Sequence, residues 1–135
     1  MNANTPADRL IKRSTTKPFA EVCAGVEDAC KANKFGLIGV VDLQAKMAAK
    51  GVAFDRPCTV FEVCNPQKAK GVLTANMDIA TALPCRLAIY TEEGKTVLST
   101  MKPTEMLGMY DAPGVEAEAE DVEATMTAIM DALVA

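Results

Sequence analysis

The alternating run Cys58-Thr59-Val60-Phe61-Glu62-Val63-Cys64, ended by Asn65-Pro66, constrains the fold more than any other stretch of the chain. A period of two sets Thr59, Phe61 and Val63 on one face and Cys58, Val60, Glu62 and Cys64 on the other, the pattern of a strand with one buried side. The set ending at Val63 is expected to face the core. Asn65 then suits a helix cap and Pro66 the first helical position, and Ala69, Val72, Leu73 and Met77 give the following helix a buried side. A strand therefore runs directly into a helix. A second change of pattern, from helical to extended, falls at Leu83-Pro84-Cys85-Arg86.

The other segments extend the same mixed plan. Residues Arg9 to Thr16 read as a short, polar, β-branched strand at a sheet edge. From Pro18 the pattern is helical, with Phe19, Val22, Cys23, Val26 and Cys30 on one face and Asn33 to end it. The run Phe35-Gly36-Leu37-Ile38-Gly39-Val40-Val41 is apolar at both alternating sets of positions, which predicts a central strand. Asp42 can cap a short helix carrying Leu43 and Met47, with Gly51 to terminate it. Cys85 to Tyr90 and Thr96 to Met101 predict a hairpin turning at Glu92-Glu93-Gly94-Lys95. A stripe of Ala119, Val122, Met126, Ile129, Met130 and Leu133 predicts a last helix from about Glu116 to Leu133, its first-turn acids opposing the positive end of the dipole. Lys102 to Gly114 reads as the one long irregular stretch.

With 135 residues, half of them apolar, the chain is expected to form a single domain, core about residues 9 to 110 and C-terminal helix about 115 to 133. The formal net charge of -4 at pH 7, with acids crowded between Glu116 and Glu123, argues against a phosphate-backbone partner, so no nucleic acid is expected. No run approaches the ~18 apolar residues of a membrane span, and the start lacks a basic and apolar leader, so no membrane association is expected and the cytosol is the expected location. Five cysteines without a CxxC pair are expected to stay reduced. The absence of histidine excludes, for this chain alone, a Ser-His-Asp triad, a Cys-His couple and histidine-ligated zinc or haem. No catalytic constellation is evident, and any cofactor is unknown at this level.

Cys64-Asn65-Pro66, Ala69 and Leu73, Leu83-Pro84-Cys85, Tyr90 and Gly94, with Gly51 and Pro57, resemble the small prokaryotic family called domain of unknown function 302, over most of the chain from Phe19 to Gly108. The resemblance implies an α+β fold whose antiparallel sheet has helices packed on one face, similar to the TATA-binding-protein-like architecture. It also implies a homodimer and no established activity. The family's shared thiols map onto Cys64 and Cys85. Cys58 departs from the pattern, standing after Arg56-Pro57 where similar sequences usually have an aromatic residue.

The candidate site comprises Cys64, Asn65, Lys68, Cys85 and Arg86. A thiol beside an Asn65-capped helix start meets free backbone N–H groups and the positive dipole end, a setting that lowers a cysteine pKa, and Lys68 and Lys70 push the same way. Two lysines in a first helical turn without an acid also suggest an anionic ligand. The site is expected to take a small anionic or electrophilic molecule. One alternative is thiol redox or sulfur-transfer chemistry at Cys64 and Cys85, and another is a structural dimerisation module with every thiol inert. Cys64 and Cys85 both also suit small buried hydrophobes. Arg86, on the face opposite Cys85 with Tyr90, suits a pocket, a dimer surface or a solvated face. Cys23 and Cys30 belong to the core, and Cys58 and Cys64, roughly 20 Å apart by strand rise, cannot bridge. Met101, Met106 and Met109 near a thiolate form a soft donor set of the kind that binds Cu(I), although methionine more often fills core gaps, and no metal site is assigned. Glu62 is a lone candidate proton acceptor.

Overall fold

A computed structural model describes residues 6–135. Five strands, Leu10–Thr15 (β1), Gly36–Asp42 (β2), Cys58–Cys64 (β3), Cys85–Glu92 (β4) and Lys95–Met101 (β5), form one antiparallel sheet in the order β1-β5-β4-β3-β2. The helices are Phe19–Ala24 (α1), Val26–Ala32 (α2), Leu43–Ala48 (α3), Pro66–Ala75 (α4), Pro103–Leu107 (α5) and Glu116–Val134 (α6), with a 3-10 segment at Met77–Ala82. The architecture is α+β, as expected.

Alternation decides what the sheet buries. Ile11, Phe61, Val63, Leu87, Ile89 and Leu98 point to one face, where they meet Val22, Val26 and Cys30 of the first two helices and the whole apolar stripe of α6. Each such fully buried aliphatic side chain contributes about 1.5–3 kcal/mol through the water it no longer orders. The opposite face, with Val41, Val60, Ala88, Tyr90 and Val97, contributes to neither buried cluster. A second, smaller cluster joins Val72, Ile79, Leu107, Ala112, Val115 and Ala119 beyond the end of the sheet.

Four expectations are corrected. The apolar Phe35 to Val41 run is an edge strand, not a central one: among the described residues β2 pairs with β3 alone, and Ile38 and Val40 are 62% and 55% exposed. A register shift between Leu37 and Gly39 bulges this edge, a device that discourages pairing with another chain. The first helix is two, broken at Gly25, where a Cβ would lie 3.2 Å from Leu133 Cδ2. Met77 is no part of a buried helix face but starts the 3-10 segment, 69% exposed. The stretch after Lys102 is not irregular throughout, because Pro103 begins α5 and a Glu123 carboxylate oxygen of α6 accepts from Thr104 N–H at 3.1 Å and Thr104 Oγ1 at 2.6 Å. That carboxylate satisfies the Thr104 N–H, which a cap side chain would otherwise take.

The predicted hairpin holds. Glu93 and Gly94 both take positive φ, 52° and 79°, as a two-residue turn between right-twisted strands requires. A non-glycine side chain tolerates this only at a cost, so the glycine carries the more demanding of the two positions.

Candidate functional site

Strand β3 ends at Cys64, and the chain leaves the sheet there for α4. Asn65 Oδ1 accepts from Gln67 N–H at 2.9 Å and Lys68 N–H at 3.1 Å, while its amide donates to Lys34 O at 3.3 Å. The cap therefore also ties the helix start to the loop before β2. Pro66, lacking an N–H, leaves no orphan donor at the first position.

Antiparallel register sets Cys85 directly across from Val63, one residue from Cys64. Opposed Cα atoms on paired strands lie about 4.5–5.5 Å apart, so the two cysteines stand on neighbouring strands at close range. Strict alternation assigns Cys64 to the face opposite Val63, yet Cys64 is the terminal strand residue and lines the same cavity as Cys85. That cavity, about 30 Å³ and walled by Phe35, Val72, Leu83, Met106 and Leu107, lies where the two buried clusters meet, and Asn65 and Lys68 border it. Its walls are almost wholly apolar.

Four of the five expected site residues thus come together: Cys64, Asn65, Lys68 and Cys85. The fifth, Arg86, does not. It sits on the other face of the sheet, its Nε 4.0 Å from Glu62 Oε2 across the β3–β4 pair, so neither Arg86 nor the candidate proton acceptor Glu62 lines the cavity.

The electrostatics overturn the expectation of an activated thiolate. Burial pushes the Cys64 thiol up rather than down. Cys85 is pushed up to about 11, first by burial and then by negative charge at Cys64, with Arg86 opposing. Desolvation of the charged form outweighs the helix dipole here because the cap oxygen of Asn65 already engages the N–H groups that would have stabilised a thiolate. Nor is Lys68 a free cation awaiting an anion. Its Nζ lies 3.0 Å from Asp121 Oδ2 and 3.2 Å from Glu118 Oε2, and these hydrogen bonds, Asp121 first, raise its pKa. The acids crowded at the start of α6 explain the unusual lysine: they are its partners.

Cys30 is buried and Cys23 half-buried against the main core, as expected; Cys23 is pushed up to about 11 by burial and by Asp42. Cys58 lies at the opposite end of β3, across from Tyr90, far from the cavity. Of the three methionines, Met101 and Met109 are 44% and 69% exposed, and only Met106 lines the cavity. Sequence reasoning grouped Met106 with its neighbours but had no signal to single it out. Phe35, Leu83 and Leu107 were missed because an apolar wall residue looks like any core residue until the fold brings it to a void.

The comparisons with known proteins agree with this architecture. No curated protein matches the chain significantly. The crystal structure of an uncharacterized conserved DUF302 protein from Bacillus stearothermophilus is similar over 94% of this chain and 98% of that one, at 31% identity and a TM-score of 0.87. The family model for the domain of unknown function DUF302 matches residues 11–133. With the matched span running from β1 through α6, the chain belongs to the DUF302 family.

Proposed function

We propose that the protein binds a small, soft or electrophilic ligand through the thiol pair Cys64 and Cys85. The observation that carries the reading is that two thiols from neighbouring strands border one small apolar cavity beside a capped helix start. Size decides what enters. Organic ligands occupy roughly 300–1,000 Å³, whereas a cavity of about 30 Å³ holds an atom or a small group. The ion pairs that engage Lys68 favour an electrophilic over an anionic ligand. Asn65 and Lys68 act as the rim, positioning the start of α4 over the pair. The homodimer that the resemblance implies has the helix-free face of the sheet to pair on, where Val41, Val60, Ala88 and Tyr90 lie partly exposed.

Alkylation with iodoacetamide, mapped by mass spectrometry, tests the reading. Folded protein at pH 9 is expected to be labelled at Cys64 well before Cys30, and the Cys64 adduct, by filling the cavity, is expected to slow labelling of Cys85. Equal labelling of all five thiols, or a Cys64 that stays unmodified in the folded chain, would count against a ligand pocket. A redox or sulfur-transfer role would use the same pair, and the cavity that both cysteines line makes it the second reading. Polysulfide treatment separates the two, since persulfide on Cys64 that passes to Cys85 supports transfer, and stable labelling of neither removes it.

A further inference from the structure

Cys64, Cys85 and Met106, from β3, β4 and α5, all line one cavity. No carboxylate or histidine joins them: the chain has no histidine, and the cavity wall includes no Asp or Glu. Building on the thiol-pair reading, we infer that this cavity is a cuprous ion site, with two cysteine sulfurs and the Met106 thioether as its ligands. Ligand softness selects the metal. Thiolate and thioether donors in an apolar shell favour Cu(I), whereas Mg(II), Ca(II) and Mn(II) want oxygen. Structural Zn(II) wants four donors drawn from cysteine, histidine or carboxylate. Cys64 and Cys85 alone supply two donors at this cavity, and Met106 adds a third, soft one.

The fold supports three coordinate positions differently. Cys85 is held in the ladder opposite Val63, and Cys64 ends the neighbouring strand. Met106 is supplied by α5, whose first turn is clamped to α6 through Thr104 and Glu123, so its backbone is anchored although its side chain is flexible. The cavity volume of about 30 Å³ accommodates one ion and no bulky chelate. Loading exchanges both thiol protons for one Cu(I) and involves no change of oxidation state: two S–H bonds break, two Cu–S bonds form, the thioether donates a lone pair, and two protons go to solvent. The other two methionines of the neighbourhood, exposed and outside the cavity, take no part.

Anaerobic titration of the full chain with Cu(I) against the competing chelator bathocuproine disulfonate reads stoichiometry and affinity. The expected result is one Cu(I) per chain, with a sulfur-only environment by X-ray absorption. Cys64→Ser and Cys85→Ser should each abolish competition with the chelator. Met106→Leu, which nearly conserves volume, should keep the fold by circular dichroism and weaken binding about tenfold, the loss of one soft donor among three. Met101→Leu and Met109→Leu should bind as wild type. Wild-type affinity in Met106→Leu overturns the thioether ligand. Absence of competition in the wild-type chain, or unchanged binding in both cysteine variants, overturns the site. If copper fails to bind while Cys64 still alkylates selectively and shields Cys85, this inference falls and the thiol-pair reading stands; if selective alkylation fails as well, both fall.

Discussion

The two buried clusters are built differently, and the candidate site lies on their seam. The larger one rests on a sheet: Leu98 of β5 is held between ladders to β1 and β4, with α6 pressed across it. The smaller one is assembled from α4, a 3-10 segment, α5 and the start of α6, with no ladder to fix its walls. A ladder fixes side chains at strand spacing, whereas short helices adjust their positions. The cavity lies where these two surfaces meet, and Cys64, Cys85 and Met106 are among the residues that line it.

The largest expected effect contrasts the two clusters directly. Leu98→Ala should cost about 3–5 kcal/mol in urea unfolding, because a ladder-held site cannot collapse around the lost volume. Ile79→Ala, equally inaccessible to solvent, should cost about 2–3 kcal/mol, since the 3-10 segment can close over the gap. Equal costs would break the contrast. Next comes the alkaline limb of stability. The folded-state pKa of Cys85 is raised from 9.0 to about 11, so the unfolded chain loses its proton first. The stabilisation is complete below pH 9 and is lost as pH rises toward 11, by about 2–3 kcal/mol for this residue. Cys23, also raised to about 11, adds to the fall. Cys85→Ala should therefore flatten the limb without removing it, as read from urea midpoints between pH 8 and 11.

Smaller effects sharpen the seam itself. Asn65→Ala removes the acceptor for two helix N–H groups and should cost about 1 kcal/mol. Its readout beyond stability is a change in Cys64 alkylation, because the start of α4 borders the cavity. Asp131→Asn, at the exposed pair with Arg13, should change stability by less than about 0.5 kcal/mol, as screened surface pairs do. A larger loss there would mean that the last turns of α6 are anchored by charge rather than by the core.

Much of the sheet-backed cluster was legible in the sequence, and much of the seam was not. The β3 alternation, the α6 stripe, the Glu93-Gly94 turn and the Asn65-Pro66 cap are local signals, and each survives because local chemistry and tertiary packing agree. The edge position of β2 was not legible, because strand order is set by pairing partners distant in sequence. An apolar run with Ile38 and Val40 reads alike at an edge and in a centre. The break at Gly25 depends on Leu133 arriving from the far end of the chain. Cys64, Asn65 and Cys85 were named from the Cys64-Asn65-Pro66 and Leu83-Pro84-Cys85 segments and Lys68 from its charge; the fold brings these four to one cavity and separates Met106 from two exposed methionines. The Cys64 ionisation was misread because the dipole argument counted N–H groups that Asn65 already occupies, and left out burial. Lys68 was misread as an unpaired cation because its acids lie some fifty residues further along, on α6.

The central claim, that Cys64 and Cys85 present their sulfurs to one space, is tested most directly with arsenite, small enough for the cavity, whose arsenic bridges two neighbouring thiols with release of two waters. One arsenical per chain, mapped to the peptides of Cys64 and Cys85 and lost in either single serine variant, is the predicted result. No adduct on the folded protein, or an adduct that survives both variants, would contradict it.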